Sequence, residues 1–474
     1  PQGAPAYEHP GEIRVTPAVR HLAGGSIAGA ILLAGIWLHT GLAPPAQRAL
    51  AVFLMTAVLW LTKPVPLGVS SLLGVVALVG TGAVDSFEAA AAGYASRIVF
   101  FLLLLLLLGE AIQRVGLDVH LARRLVVRPM TPRTAVVRVA GAMLLAALFM
   151  PSGLARTVTF IPVVDRLNGL FELEDNNGFL RAALLIVGQV NPIASLALMT
   201  GGGMAILSAE VIRVKVTPIT WLEWAAYMLP PVVITYAMLT GVIIWTARVP
   251  AAPRIDGSAL PAQSLDGEQR LVAAVMLVTI ALWVVGSLTG MSTIVPPLLA
   301  VLVLSAPGVR ILRSADVGRV NWNILLLFGA IMSLIGALQQ TGALAAVIGA
   351  LVGTIPLATL PPAVAVTVVL VGVGLIRVAF STGSAALAIV LPVVITLGGA
   401  LGVDPLSFSL AAVLIVGATT LLPFHLPTVL LVTEHSPDLG TADIIRVGLL
   451  AVTIAAGVIA GSWIVYWPWL AAVI

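Results

Sequence analysis

Two stretches of similar sequence lie about 230 residues apart and decide how this chain is built. The first is Ser152-Gly153-Leu154-Ala155-Arg156-Thr157-Val158-Thr159-Phe160-Ile161-Pro162, and the second is Thr382-Gly383-Ser384-Ala385-Ala386-Leu387-Ala388-Ile389-Val390-Leu391-Pro392. Each opens with a hydroxyl residue and a glycine, continues as an apolar helix-like run, and reaches proline ten residues after the hydroxyl residue. A polar, glycine-bearing break that occurs twice in apolar surroundings is typical of secondary transporters, in which backbone groups freed by the break bind a solute or an ion.

The composition sets the class of protein. Of the 474 residues, 60% are hydrophobic and 9% are charged. No soluble domain of this length could bury so much apolar surface, so the chain is expected to be an all-α polytopic membrane protein. The absence of cysteine excludes disulfides and thiolate chemistry, and a net charge of +4 gives no indication of nucleic-acid binding.

Apolar runs of about 17–25 residues are long enough to cross a bilayer. They predict about eleven crossings, near residues 26–43, 47–62, 65–83, 97–115, 177–206, 219–246, 270–288, 291–306, 321–340, 405–432 and 443–468. Two further apolar blocks, about 134–163 and 360–397, contain the glycine-bearing tips. We interpret each block as two half-length helices forming a re-entrant hairpin; one kinked helix per block is the alternative that hydropathy leaves open.

The distribution of arginine orients these elements. The loop after the fourth crossing, the loop before the seventh crossing and the loop after the eighth crossing are basic. The segment between about Gly342 and Pro361 carries no charge. The positive-inside tendency therefore places the basic loops in the cytoplasm and the uncharged loop outside. The hairpins then enter from opposite sides, which makes an inverted repeat. The polar N-terminal stretch lacks the short apolar core of a signal peptide, so we expect it to be a cytoplasmic tail.

The repeat also appears in the flanking segments. Gly116 aligns with Gly342, and each hairpin is followed by an interrupted helix, broken at Thr200-Gly201-Gly202-Gly203 and around Thr419–Pro423 with His425 following. The predicted division is therefore a tail (1–25), scaffold helices (26–96), a first repeat (97–247), a cytoplasmic linker (248–269), further scaffold helices (270–306) and a second repeat (307–474).

This order of elements resembles the divalent anion:sodium symporters, which carry dicarboxylates, citrate or sulfate. KPVPLGVSSLLGVVALVGTGAV (63–84) resembles the third-helix segment of that family, and NWNILLLFGAIMSLIGALQQTG (321–342) resembles the segment before its second hairpin. The similarity covers most of the chain from about Leu61 onward. It implies an elevator-type anion transporter in the cell membrane, a homodimer with a fixed scaffold and a moving transport domain.

In the family, a Ser-Asn-Thr signature at each hairpin tip contacts the substrate and, with the broken helices, binds sodium. The signature falls here on Ser152-Gly153-Leu154 and Thr382-Gly383-Ser384, so both asparagines are replaced by glycine. Glycine offers no side-chain oxygen, so sodium dependence is doubtful; a residual sodium site would involve Ser152, Gly202 and Gly383. The expected substrate-binding residues are Ser152, Gly153, Leu154, Arg156, Thr200, Gly201, Gly202, Gly203, Thr382, Gly383, Ser384, Thr420, Pro423 and His425.

Two arginines stand where an apolar segment is expected. Arg156 follows Ser152 by one helical turn, and Arg377 precedes Thr382 by five residues. An arginine buried in a membrane costs a few kcal/mol or more, so it usually faces a cavity or a partner, and guanidinium binds carboxylate or sulfate oxygens in a two-pronged geometry. We hypothesise that one or both supply the positive charge that sodium supplies in the relatives. Pairing with an acid such as Glu110, or reaching to the membrane surface, is the alternative.

Secondary transport of a small, divalent anion is therefore the leading hypothesis. A related permease with another cargo, of the arsenite or sodium/proton type, is the alternative, although two arginines near the tips count against a cation cargo. An intramembrane enzyme is not supported, because His-Glu-x-x-His, Gly-x-Ser-x-Gly and paired intramembrane aspartates are absent from the sequence. No cofactor is expected beyond coupling to sodium or protons.

Overall fold

The computed structural model of the chain describes residues 17–38, 41–124, 129–150, 152–173, 177–255, 264–354, 357–380 and 382–473. Within these ranges the structure is helical and contains no β-strand; a single isolated bridge joins Met130 and Ile255. The prediction of an all-α membrane protein is confirmed.

The helices are, in chain order, α1 (Pro17–Trp37), α2 (Pro44–Thr62), α3 (Leu67–Gly80), α4 (Phe87–Ala91), α5 (Arg97–Arg114), α6 (Leu117–Arg124), α7 (Pro132–Ala146), α8 (Gly153–Leu170), α9 (Gly178–Leu185), α10 (Asn191–Ala194), α11 (Gly203–Lys215), α12 (Trp221–Thr246), α13 (Gly267–Thr289), α14 (Val295–Ser305), α15 (Ser314–Val317), α16 (Trp322–Gln340), α17 (Ala343–Thr354), α18 (Pro362–Ala379), α19 (Gly383–Ala400), α20 (Pro405–Ala418), α21 (Pro427–His435), α22 (Thr441–Gly461) and α23 (Trp467–Val473).

Each predicted crossing coincides with a helix or with an interrupted helix. Among the described residues, seven helices are long and apolar enough to cross a membrane on their own, and an eighth span arises if Phe87–Ala95 and Arg97–Arg114, which are bent by 40°, form one crossing. Several other apolar helices, such as α3 and α14, are shorter. The count of eleven therefore stays a prediction.

The same order of elements occurs twice. A long helix (α5 or α16) ends two residues before a glycine with positive φ, Gly116 at 66° or Gly342 at 78°, and a second helix (α6 or α17) begins directly after it. A left-handed backbone at this point is cheap only for glycine, which explains why the two aligned positions share that residue. A helix pair, an interrupted helix and a long helix follow in both halves.

Both predicted hairpins are pairs of helices rather than single kinked helices. In the first, α7 and α8 pack against each other and against α9; in the second, α18 and α19 pack against each other and against α20. The second arms begin in the same way, because the side chains of Ser152 and Thr382 each accept a hydrogen bond from the backbone amide three residues later. The arms are longer than the predicted half-length helices: α18 and α19 have 18 residues each, or about 27 Å.

The broken helices follow the hairpins. The first runs through α9, a π-helical turn at Ile186–Val190 and α10, and resumes as α11 after a break that includes the predicted glycines. The second consists of α20, a break containing a short 3₁₀ turn at Pro423–His425, and α21. These breaks leave backbone groups without helical partners at the level of the hairpin tips.

Candidate functional site

The first hairpin tip is built around a buried guanidinium. Arg156 has no exposed surface. Its Nε donates to Oδ1 of Asn191 over 2.7 Å, its Nη2 donates to Oγ of Ser195 over 2.5 Å, and its Nη1 donates to the carbonyl oxygen of Met150. Met150 precedes the tip, whereas Asn191 and Ser195 belong to the first broken helix, so the side chain joins the two elements.

Asn191 is the second half of this arrangement. Its Nδ2 donates to the carbonyl oxygen of Gly153 over 2.9 Å and to Oγ1 of Thr157 over 3.1 Å. Asn191 and Ser195 were not among the residues expected from the sequence. The signal that could have found Asn191 is an Asn-Pro pair, next to Gln189, inside an apolar run where side-chain amides need partners.

The second tip has a buried guanidinium of its own. Arg377 is 1% exposed, and its Nη1 donates to the carbonyl oxygen of Phe380. Its Nε and Nη2 donate to the carbonyl oxygens of Val416 and His425, each over 3.2 Å. Val416 lies in the last turn of α20 and His425 lies in the break that follows, so Arg377 joins the tip to that break.

The two arginines donate to equivalent backbone carbonyl groups but occupy different places in their hairpins. Met150 stands two residues before Ser152, and Phe380 stands two residues before Thr382. Each carbonyl accepts a hydrogen bond from an arginine, but one arginine lies on the second arm of its hairpin and the other lies on the first arm. The positive charge is therefore repeated in space but not in sequence.

Among the described residues, no acid neutralises either guanidinium. The ion pairs found in the described part of the chain involve other residues, and none joins a carboxylate to either arginine within 4.0 Å. Glu110, which the sequence offered as a partner, forms no ion pair with either arginine among the described residues. The structure thus favours buried, unpaired cations over both alternatives, pairing with Glu110 and reaching to the membrane surface.

Both tips meet the first broken helix. At its break, Ser195 contacts Arg156 of the first hairpin, while a Cβ atom built on Gly203 would lie 3.2 Å from Oγ of Ser384 in the second hairpin. The same Cβ would lie 3.4 Å from Cζ of Phe328 on α16. The structure therefore brings the two predicted tips to opposite ends of one short break.

One of the predicted glycines is required by close approach to the backbone. A Cβ on Gly201 would lie 2.5 Å from the carbonyl oxygen of Ser195, whereas a Cβ on Gly383 would lie 2.2 Å from Sδ of Met204, the end of a flexible side chain that can move away. At Gly153 the nearest atoms would be 3.7 Å away or more, so that position has room for a side chain. Thr200 is buried and accepts a hydrogen bond from Nε1 of Trp221 over 3.2 Å.

Hydrogen bonds between side chains and backbone groups hold the second break. Nε2 of Gln189, in the π-helical turn, donates to the carbonyl oxygen of Thr420 over 2.6 Å, which ties the two broken helices together. Nδ1 of His425 accepts from the backbone amides of Leu421 and Leu422. His425 therefore ties the chain after Pro423 to the two residues before it, which agrees with a structural role.

The first tip opens onto a crevice of about 730 Å³. Ser152 and Leu154 line it, and Leu154 is 42% exposed. Asp118 of α6 also lines it, with Oδ2 accepting a hydrogen bond from Thr159 over 2.9 Å, and Arg166 lines it further along α8. The second tip has a different environment, because Met204 lies against Gly383, and Ser384 and Phe328 both lie beside Gly203.

A helical membrane protein with a repeated hairpin, a repeated broken helix and a buried cation at each tip has the architecture of a secondary transporter. The chain belongs to the sodium:sulfate symporter family, whose transmembrane region it matches over residues 25–473. This is a family of transporters, not of enzymes, and the resemblance inferred from the tips is confirmed.

Two named proteins are similar to this chain in sequence. The chloroplastic dicarboxylate transporter 1 of Arabidopsis thaliana is 25% identical over 333 residues, which cover 67% of this chain and 59% of that protein. The putative malate transporter YflS of Bacillus subtilis is 25% identical over 340 residues, covering 67% of this chain and 69% of its own length. The chain thus spans about three fifths of the plant relative.

Among solved structures, the YdaH transporter of Alcanivorax borkumensis has a similar fold. The TM-score is 0.52 at 17% identity, with 77% of this chain and 84% of that chain covered. At this identity the likeness concerns the fold alone.

Proposed function

We propose that this protein is a secondary transporter of small divalent anions, dicarboxylates in the first place, that does not require sodium. The observation that carries the proposal is the pair of buried guanidinium groups at equivalent tip carbonyls, with no carboxylate in the described part of the chain paired to either. The names of the relatives support the substrate class, since two of them are described as dicarboxylate or malate transporters.

The electrostatic argument follows from burial. An unpaired charge in a protein interior is costly to maintain, and a ligand of opposite sign recovers part of that cost. At ~6 Å and an effective dielectric near ~20, one pair of unit charges gains about 3 kcal/mol before desolvation. Two guanidinium groups therefore favour an anion with two charges. By the same reasoning, the two guanidinium groups disfavour a cation as cargo. This argues against an arsenite-type permease or a sodium/proton antiporter in so far as the species that such a protein transports is a cation.

The same hydrogen bonds leave little for sodium to bind. Sodium takes oxygen ligands, and at the first tip the oxygens of Met150, Asn191 and Ser195 already accept bonds from Arg156. At the second tip the carbonyl oxygens of Phe380 and His425 already accept from Arg377. The glycines at positions 153 and 383 add no side-chain oxygen, so neither site fits a sodium ion as built.

An elevator-type cycle agrees with the unequal surroundings of the tips. The crevice beside Ser152 offers a path to the first tip, whereas Met204 lies against Gly383 at the second. In this proposal residues 26–96 and 270–306 form a fixed scaffold, the hairpins and broken helices of the repeats 97–247 and 307–474 move, and two copies of the chain associate in the cell membrane.

The test is uptake into proteoliposomes. Initial rates for labelled malate, succinate, citrate and sulfate are measured with sodium replaced by choline at constant ionic strength, with and without unlabelled anion inside the vesicles. We expect uptake of at least one dicarboxylate at a rate that does not change with sodium. A steep, saturable rise from near zero as sodium is added would contradict sodium independence, and failure to transport any of the four anions would contradict the substrate class.

A further inference from the structure

A small basic pocket lies away from the hairpins, between α5, α14 and the segment that contains α15. It has a volume of about 410 Å³. Its polar lining consists of two arginines and two serines, Arg310, Arg313, Ser305 and Ser314. Guanidinium and hydroxyl groups together form the usual donor set for a phosphate group.

Both arginines have N–H groups that are available to bind a ligand. Neither takes part in an ion pair in the part of the chain that the structure describes. Nε of Arg313 donates to the carbonyl oxygen of Arg310 over 3.3 Å, which leaves the terminal amino groups of Arg313 available and brings the two residues together. The neighbouring acid, Asp316, is 2% exposed and is already engaged by Arg114 and Arg319. The pocket therefore keeps its positive charge.

The rest of the lining is apolar and continues into the surface of a membrane helix. Leu107, Val301, Leu312 and Val317 complete the pocket. Beyond Val301, the outward face of α14 carries large exposed aliphatic side chains, at Leu298, Leu299, Leu302 and Val303. A basic recess at the end of an aliphatic helix face matches a molecule with an anionic head and hydrocarbon chains.

The position along the helices suits a headgroup. The pocket lies at the C-terminal end of α14, where the polar loop begins. Trp322, at the start of α16, is 47% exposed and donates from Nε1 to the carbonyl oxygen of Val317, a lining residue. Exposed tryptophan is typical of the membrane–water interface, so the pocket is at the depth of lipid phosphates.

We propose that this pocket binds the phosphate of an anionic phospholipid, with Arg310 and Arg313 as the charged ligands and the acyl chains along α14. Basic pockets between membrane helices are known to select such headgroups by charge. The site is distinct from the hairpin tips, and binding can be measured without any transport.

The test uses purified protein reconstituted in mixed phosphatidylcholine and phosphatidylglycerol. Native mass spectrometry counts the retained phosphatidylglycerol, and thermal unfolding is followed in the same samples. We expect wild-type protein to retain phosphatidylglycerol and to be stabilised by it, and the double variant Arg310→Gln/Arg313→Gln to bind it about tenfold more weakly or worse. The matched control Arg254→Gln/Arg270→Gln removes two exposed arginines elsewhere and should behave as wild type.

Two outcomes would overturn the proposal. Equal loss of phosphatidylglycerol in both double variants would show that general surface charge, and not this pocket, holds the lipid. Stabilisation by inorganic phosphate in detergent that equals the effect of phosphatidylglycerol, and that the pocket variant abolishes, would assign the pocket to a free anion instead of a lipid.

Discussion

Nε of Arg156 lies 2.7 Å from Oδ1 of Asn191, so the cation of the first hairpin is held by a neutral amide of the broken helix. The other end of the same amide donates to the carbonyl oxygen of Gly153. Asn191 thus fixes the position of the guanidinium without cancelling its charge. An aspartate has nearly the same shape and would keep the contact to Arg156 while cancelling the charge, but it would lose the donation to Gly153 and Thr157.

Asn191→Asp should therefore weaken binding of the anion and also lower thermal stability, because a carboxylate oxygen would face the carbonyl oxygen of Gly153. Neutralising one cation near the substrate removes about 1.5–3 kcal/mol, so we expect KM to rise about tenfold to a hundredfold. The measurement is the concentration dependence of uptake in proteoliposomes. Asn323→Asp is the control, since Oδ1 of Asn323 only accepts a hydrogen bond from the amide of Gly68, which a carboxylate can also do. An unchanged KM in Asn191→Asp would show that the charge of Arg156 is not felt by the substrate.

Substitution of Arg156 itself separates charge from geometry. Arg156→Ala removes the charge and leaves Met150, Asn191 and Ser195 without their donor, so we expect lower affinity and lower thermal stability. Arg156→Lys keeps the charge but not the planar fork, and should restore part of the affinity. Thermal unfolding of each variant is measured beside uptake, with Arg270→Ala as a surface control. If Arg156→Ala folds normally and transports with wild-type KM, the arginine has no role in binding.

The first break should tolerate no side chain at Gly201. A methyl group there would lie 2.5 Å from the carbonyl oxygen of Ser195, and since backbone atoms must move to make room, Gly201→Ala should cost about 1–3 kcal/mol and reduce transport. Gly241→Ala in α12 is the matched control, because its Cβ would meet no atom within 4 Å. The measurement is thermal unfolding together with uptake rate. Equal behaviour of the two variants would mean that the break rearranges freely.

The unequal cover of the two tips can be measured with single cysteines. The chain has no native cysteine, so an introduced thiol reports without background. Leu154→Cys, in the crevice, should react quickly with a polar maleimide, and Ser384→Cys should react slowly because Ser384 is only partly exposed and lies, like Phe328, beside Gly203. Phe328→Ala should speed the labelling of Ser384→Cys and leave that of Leu154→Cys unchanged. Similar rates for both cysteines in the wild-type background would contradict a one-sided opening.

Much of the fold follows from the sequence because apolar periodicity and glycine placement are local signals. The hairpin arms, both breaks and the repeat glycines Gly116 and Gly342 were expected near where they occur. The number of true crossings did not follow, since helix length depends on tilt and packing as well as composition. The length of the arms was also underestimated, because Pro162 and Pro392 do not end α8 and α19.

The site was only partly predictable. Motif spacing located the tips and Arg156, but the acceptors of that arginine lie 35 and 39 residues further along the chain, so they depend on tertiary structure. The sequence alone does not distinguish the role of Gly202 from the roles of Gly201 and Gly203. In the structure Gly202 has φ 171° and ψ 172°, an extended backbone that any residue can adopt, whereas Gly201 is the position of close approach.

The buried guanidinium groups also have an electrical consequence. A carrier that moves both tips across the bilayer carries two positive charges when empty, and carries no net charge when a dianion is bound. Each charge that crosses the full field at 100 mV changes the energy by about 2.3 kcal/mol, so the membrane potential acts almost entirely on the return of the empty carrier. Exchange of one dianion for another avoids that step. We therefore expect exchange to be fast and insensitive to voltage, and net uptake to be slow and voltage-dependent.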